Sequence, residues 1–247
     1  MKKILYILII NCSLLITHCY SQWLQQTVPV SKPITGIKFI DSSTGWACTS
    51  NTGGGPNEAY ILNTTDGGVN WLIQYTAPLI TFNAICVIDA NNILAGGDST
   101  SRAKFSKTTN GGLNWIDIQT PVNMSIRDMV FLNKDSGYTC SNVGPGADVR
   151  TTTNGGLNWV VRTNGIASQT QRIFFLNYTT GFCGANFFLY KTTNAGMNWT
   201  LNDSYSDFVK AIYFIDNNTG WVALTGFSIK YTTNAGNNWS NQVPDPG

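Results

Sequence analysis

The feature that most constrains this chain is one eight-residue phrase written five times. Thr64-Thr65-Asp66-Gly67-Gly68-Val69-Asn70-Trp71 returns in related form at 108–115, 152–159, 192–199 and 232–239. Its third position holds Asp66, Asn110, Asn154, Asn194 and Asn234, and its last holds Trp71, Trp115, Trp159, Trp199 and Trp239. The steps between tryptophans are 44, 44, 40 and 40 residues. Self-similarity at such a period marks an array of stacked supersecondary units, none able to bury its apolar face alone.

Each period contains the same order of signals. An apolar run ends in an acid or amide: Ile37 to Asp41, Ile85 to Asp89, Met129 to Asn133, Ile173 to Asn177 and Ile212 to Asp216. Near-continuous aromatic and β-branched character over so few residues predicts a strand buried on both faces. A turn and a second strand follow at Gly45-Trp46, Gly137-Tyr138, Gly181-Phe182 and Gly220-Trp221, with Ile93-Leu94 as the departure in unit two. A third strand leads into the repeated phrase and a fourth leaves from its tryptophan. Four antiparallel strands per ~40–45 residues predict an all-β propeller built of four-stranded blades. Five blades is the reading adopted, with six or seven if the chain forms part of a larger ring. The count is untidy because Trp23-Leu24-Gln25-Gln26-Thr27 also reads as a fourth strand.

The phrase itself is a hairpin device. Its Asp or Asn is expected to accept hydrogen bonds from backbone N–H groups two residues on, and the next two residues, Gly-Gly or Ala-Gly, supply a positive φ. The tryptophan then covers the hairpin base, with its indole N–H directed at a backbone carbonyl. On these residues the chain resembles the Asp-box, or bacterial neuraminidase repeat, and the Thr-Thr-Asp-Gly-Gly-x-x-Trp form with Gly-Trp in the second strand resembles the photosystem II stability and assembly factor-like propellers. The resemblance spans 23–247 and also touches sialidases and sortilin-type receptors. It implies the fold strongly and the function weakly, since one propeller hosts many roles, and it does not imply photosystem assembly as such. Asn in four of the five boxes keeps the acceptor and removes the charge.

Lys2 and Lys3 precede an apolar run at 4–17 and a plausible cleavage point after Ser21. This order predicts a signal peptide at 1–21 and a propeller domain at 22–247. The run is shorter than the ~20 residues of a membrane-spanning helix, and no later segment approaches that length. No integral membrane segment is therefore expected after cleavage. Cys19 lacks the small preceding residue of a lipidation site, so a secreted or cell-envelope protein is predicted. Loss of Lys2, Lys3 and His18 leaves 13 basic and 13 acidic residues and no histidine. Zero net charge gives no long-range attraction to nucleic acid. Cys48, Cys86, Cys140 and Cys183 fall inside predicted strands and read as buried apolar side chains, with one bridge kept open.

Catalysis finds little material. Without histidine, Ser-His-Asp and Cys-His nucleophiles and His-ligated zinc are excluded. Glu58 is the only glutamate, which leaves a sialidase-type or other glycosidase reading dependent on that residue and on Asp98, Asp148, Asp203 and Asp207, expected in loops. No cofactor or metal is predicted. The reading is a non-enzymatic binding scaffold with a protein or glycan partner; a sialidase-like hydrolase, or its degenerate descendant, is the alternative, and a single domain cut from a larger surface protein is a third.

Extra length in units one to three is assigned to loops between the second and third strands, at 51–58, 97–102 and 142–148, all on the face that receives the starts of the inner strands. Long loops on a rigid scaffold are where function concentrates. Arg127, Arg172 and Lys210 are placed at comparable positions around the mouth of the central channel, with Arg102 and Arg150 nearby in loops. They form a candidate anion-binding face, and the resemblance implies basic surface patches as well. Tyr75, Phe82, Tyr205 and Phe208 in the inter-blade links are candidate aromatic platforms.

Overall fold

The computed structural model describes residues 25–242, apart from 54, 100, 101, 121–124, 144, 145 and 227. The signal peptide expected at 1–21, the lipidation question at Cys19, and Trp23 and Leu24 of the expected leading strand lie outside the described residues. Gln25, Gln26 and Thr27 belong to no strand.

Five four-stranded antiparallel sheets follow one another, each a simple meander. Blade 1 is β1 (Ile34–Phe39), β2 (Gly45–Thr49), β3 (Glu58–Thr64) and β4 (Leu72–Pro78). Blade 2 is β5 (Thr81–Val87), β6 (Ile93–Ser99), β7 (Arg102–Thr108) and β8 (Ile116–Gln119). Blade 3 is β9 (Ser125–Phe131), β10 (Gly137–Val143), β11 (Gly146–Thr152) and β12 (Val160–Val161). Blade 4 is β13 (Thr170–Phe175), β14 (Gly181–Ala185), β15 (Phe188–Thr192) and β16 (Thr200–Ser204), and blade 5 is β17 (Val209–Phe214), β18 (Gly220–Leu224), β19 (Ile229–Thr232) and β20 (Ser240–Asn241). The all-β, five-bladed expectation holds.

The repeated phrase closes each blade by a fixed set of bonds. In blade 1 the Thr64 hydroxyl donates to Asp66 Oδ1 (2.8 Å) and accepts from the Gly68 N–H (2.9 Å), while Asp66 Oδ1 also accepts from the Asn70 N–H (2.9 Å). The four Asn versions reproduce the contact from the N–H four residues on. The reach is therefore four residues rather than the expected two, because both turn residues between adopt left-handed backbone: φ is 74° and 93° at Gly67 and Gly68. Ala195 and Ala235 take the first of these positions at φ 59° and 58°. The turn is also tied to the first hairpin of its own blade, as where the Gly67 N–H donates to Ser43 O (2.8 Å). Of the indoles, Trp199 reaches a carbonyl, Arg162 O at 2.8 Å, Trp239 reaches Asn202 Oδ1 at 2.8 Å, and those of Trp115 and Trp159 are buried without a partner.

Apolar cores lie between blades. Trp46, Ile61 and Phe82 join blades 1 and 2; Phe105, Ile126 and Met129 join blades 2 and 3; Tyr138, Phe175 and Trp199 join blades 3 and 4; and Phe182, Leu189 and Phe214 join blades 4 and 5. Polar latches reinforce three of these junctions: Gln74 Nε2 donates to Gly111 O, Lys107 Nζ to Gly155 O and Lys191 Nζ to Ala235 O, each at 2.8 Å and each onto the next blade's turn. Inner strands pack in chain order, β1 on β5, β5 on β9, β9 on β13 and β13 on β17. Among the described residues β17 and β1 share no core, so the five blades form an arc with four junctions. The outer part of blade 1's free face is covered by Val28 and Val30, which pack with Ala47, Leu62 and Trp71.

The four cysteines among the described residues are free; Cys48, Cys140 and Cys183 are buried and Cys86 is half-buried. Burial pushes the Cys48 thiol up to about 12 and Cys86 to about 11, which keeps both protonated.

Candidate functional site

Every inner strand carries a register irregularity near its start. It falls between Ile34 and Gly36, Phe82 and Ala84, Thr170 and Arg172, and Val209 and Ala211, and in blade 3 between the partners of Ile126 and Asp128. Such bulges re-aim side chains. The residues they set aside are Thr35, Asn83, Arg127, Gln171 and Lys210. Arg127 and Lys210 therefore occupy equivalent places, whereas Arg172 stands one residue further on, where blade 3 has Asp128. The expectation of three comparable positions is corrected to two: Arg127 and Lys210 stand two residues before the apolar runs at Met129 and Ile212, whereas Arg172 stands one before Ile173, and the bulge turns these adjacent positions apart.

A chain of contacts runs along the channel from blade to blade. Thr35 Oγ1 donates to Phe82 O (2.7 Å), Asn83 Nδ2 to Ile126 O (3.0 Å), the Ile173 N–H to Asp128 Oδ2 (3.2 Å), and Arg172 Nε to Lys210 O (2.5 Å). Arg172 Nη1 also donates to Gln171 O (2.7 Å). Arg172 is thus partly committed to structure.

Two cavities adjoin here and share Arg172 as a wall. One, about 180 Å³, is lined by Thr35, Lys38, Asn83, Arg127, Asp128 and Arg172. The other, about 240 Å³, is lined by Gln169, Gln171, Arg172, Asn186, Phe208 and Lys210. Phe208 stacks on Phe187 (centroids 4.4 Å apart), and Lys210 Nζ lies 6.0 Å from the Phe208 ring centre. Arg127 and Lys210 are exposed. Asp128 is half-exposed, yet removal of its carboxylate from water raises its pKa, against the lowering influence of the Ile173 N–H and of nearby Arg172. Asp98 is raised by burial too, although Ser125, Asn83 and the Ile126 N–H all donate to it.

The remaining expected site residues fall elsewhere. Arg102 opens β7 at the rim, paired with Ser99, and Arg150 sits inside β11 with its Nε 2.8 Å from Asp148 Oδ1. Neither lies in a loop: in blades 2 and 3 the extra length extends the strands to hairpins ending at Ser99↔Arg102 and Val143↔Gly146. Only blade 1 keeps a long connection, pinned by Lys32 Nζ on Asn51 O (3.0 Å) and Pro56 O (2.8 Å). Of the link aromatics, Phe82 is fully buried and Tyr75 and Tyr205 pack into inter-blade cores, leaving Phe208 to line a cavity. Lys38, Asn83 and Asp128 escaped the sequence reading. A signal existed for Asp128, an acid inside an otherwise apolar inner strand.

Of the candidate hydrolytic carboxylates, Glu58, Asp98 and Asp148 are bonded to neighbouring side chains, while Asp203 and Asp207 make local contacts. Asp98, Asp148 and Asp203 lie in strands rather than loops; Asp148 is buried, bonded to Arg150 and to the Ser141 hydroxyl. Glu58 accepts from the Tyr60 hydroxyl (2.9 Å). Among the described residues no cluster able to hold a metal ion occurs, and no helix is long and apolar enough to cross a membrane.

Residues 107–247 match the family model of the photosynthesis system II assembly factor YCF48. The chain belongs to this family. No curated protein matches it by sequence. Among solved structures it is similar to YCF48 bound to D1 peptide, at 18% identity and TM-score 0.51 over 87% of this chain and 84% of that one. It is also similar to YCF48 from Cyanidioschyzon merolae, at 16% identity and TM-score 0.55 over 91% and 88%. The GH74 xyloglucanase from Xanthomonas campestris aligns at 14% identity and TM-score 0.66, over 91% of this chain and 40% of the enzyme. At such identities these likenesses establish the fold, and the YCF48-like chain spans less than half of the hydrolase.

Proposed function

We propose that this YCF48-like propeller is a secreted or cell-envelope binding scaffold that holds a carboxylate-bearing segment of a protein partner at its channel mouth. The observation that carries this reading is the gathering of Lys38, Arg127, Arg172 and Lys210 around two adjoining cavities whose lining includes one carboxylate, Asp128, with a raised pKa. Arginine presents a planar fork suited to carboxylates, and Phe208 with Phe187 offers an apolar wall beside it. The peptide in a YCF48 structure gives a precedent for a protein partner. The order of charge and apolar residues at 1–21 supports export.

The hydrolase reading draws on the GH74 likeness, but Glu58, Asp98 and Asp148 are engaged in structural bonds. Titration of the purified chain with acidic peptides, alongside a glycan array and fluorogenic glycosides, separates the readings. Peptide binding without turnover, lost on joint Arg127→Ala and Lys210→Ala change, is the expected result. Turnover abolished by Glu58→Gln would replace the scaffold with an enzyme, and selective glycan binding at the same residues would change the partner class.

A further inference from the structure

The two ends of the arc carry the matching halves of a junction that is already made four times inside the molecule. At the blade 4–5 junction the downstream face of blade 4 offers Phe174, Leu176, Phe182 and Leu189 to Phe214 and Ile212 on the upstream face of blade 5. Phe182 and Phe174 stack on Phe214 with centroids 5.0 and 5.5 Å apart. Strand register carries each of these positions one blade further: Tyr213 corresponds to Phe174, Ile215 to Leu176, Trp221 to Phe182 and Ile229 to Leu189. Phe182 and Leu189 are fully buried, whereas Tyr213, Ile215 and Ile229 are 59%, 62% and 45% exposed.

The other end shows the complement. Phe39 corresponds to Phe214 and Ile37 to Ile212, and they are 42% and 52% exposed. Val28 and Val30 cover the outer part of this face over Trp71 and Leu62 and leave the part nearest the axis open. Tyr213, Ile215, Trp221, Ile229, Ile37 and Phe39 are all uncharged, so closing one face on the other desolvates no ion. An apolar sheet face of this kind on a soluble molecule marks an interaction surface.

We infer that these faces dock head to tail between copies of this chain: blade 5 of one copy receives blade 1 of a second. The second copy is the occupant because the geometry required on both sides is that of the internal junctions, and every copy carries both halves. The two faces differ, so the contact is heterologous. A dimer still displays one face of each kind and adds further copies until a ring closes or a filament grows.

Sedimentation velocity of the purified chain over a range from low to high micromolar concentration tests this. The expected result is a mass that climbs past the dimer as concentration rises. A Tyr213→Glu, Ile229→Glu double variant and an Ile37→Glu variant are each expected to remain monomeric alone, and to form a one-to-one dimer and nothing larger when mixed, since each keeps one working face. The changed positions are exposed, so melting temperatures near that of the parent chain are expected; Ile37→Gln serves as the milder variant should Ile37→Glu unfold. A parent chain that stays monomeric throughout overturns the inference. So does a mixture that fails to pair, or self-association by either single-face variant, which would indicate a like-with-like contact instead.

Discussion

Phe175 of blade 4 and Phe39 of blade 1 occupy the same place in the same repeat, and their surroundings could hardly differ more. Each meets its own blade's tryptophan edge-on, with centroids 6.0 Å apart in both cases. Phe175 is also stacked on Tyr138 of the preceding blade and is 4% exposed, whereas Phe39 meets no preceding blade among the described residues and is 42% exposed. Intra-blade geometry is therefore set by the repeat, while burial is set by position in the array. An interior blade shares a core with a neighbouring blade on each side; an end blade shares one, and on blade 1 the link residues Val28 and Val30 cover part of the other side.

Substitution sharpens this contrast most at the aromatic itself. Phe175→Ala is expected to destabilise the fold by about 3–5 kcal/mol, the usual range for a buried phenylalanine, and Phe39→Ala by about 1 kcal/mol, both read from urea unfolding. Equal losses would break the comparison and show blade 1's free face to be covered. Next in size are changes confined to the hairpin. Ala195→Gly in blade 4 and Ala235→Gly in blade 5 should each raise stability by about 1 kcal/mol, because an alanine held at positive φ carries a penalty that glycine lacks. Here the two blades should agree, since the strain is local; a gain in blade 4 alone would argue that the end blade's hairpin is not formed as described.

Smaller effects follow from titration. Burial raises Asp128, so its contribution to folding is most favourable below the ordinary carboxylate range and is lost as pH rises through the raised value. Uptake of a proton there also removes negative charge from the mouth. Affinity for an acidic peptide should therefore increase as pH falls through that raised value, and Asp128→Asn should flatten the profile. Asp66 in the exposed box of blade 1 is shifted the other way, held down by the Asn70 N–H. Its contribution is present above the ordinary carboxylate range and fades as pH falls through the lowered value. Asp66→Asn keeps the acceptor for the Asn70 N–H, so it should leave the melting temperature at neutral pH near that of the parent and blunt the acid limb of a pH–melting series.

Much of the architecture was legible because the repeat reports it at several scales. The five boxes gave the blade count, the apolar runs gave the inner strands, and the absence of histidine beyond His18 narrowed the chemistry. What escaped lay where a residue's direction depends on register. Arg172 stands one residue before its apolar run, like Asp128, whereas Arg127 and Lys210 stand two before theirs, and the bulge that aims these adjacent positions differently has no composition signal. Strand length was misread because 97–102 and 142–148 carry polar residues and glycine, like loops, yet the ladders extend to Ser99↔Arg102 and Val143↔Gly146. Asp148 and Arg150 satisfy each other inside that extension, so two polar residues that read as surface features form a half-hidden pair.

An array joined only between neighbours has a failure mode that a closed circle lacks. When one junction of a circle opens, every blade remains connected to every other by the opposite way round. When a junction of this arc opens, the molecule is divided into two pieces that no longer constrain each other, and the loss is gravest at the middle, where neither piece keeps more than three blades. Partial melting should therefore begin at the ends and spread inward one blade at a time, which makes blade 3 the segment whose amides exchange last and whose integrity decides whether the channel mouth exists at all.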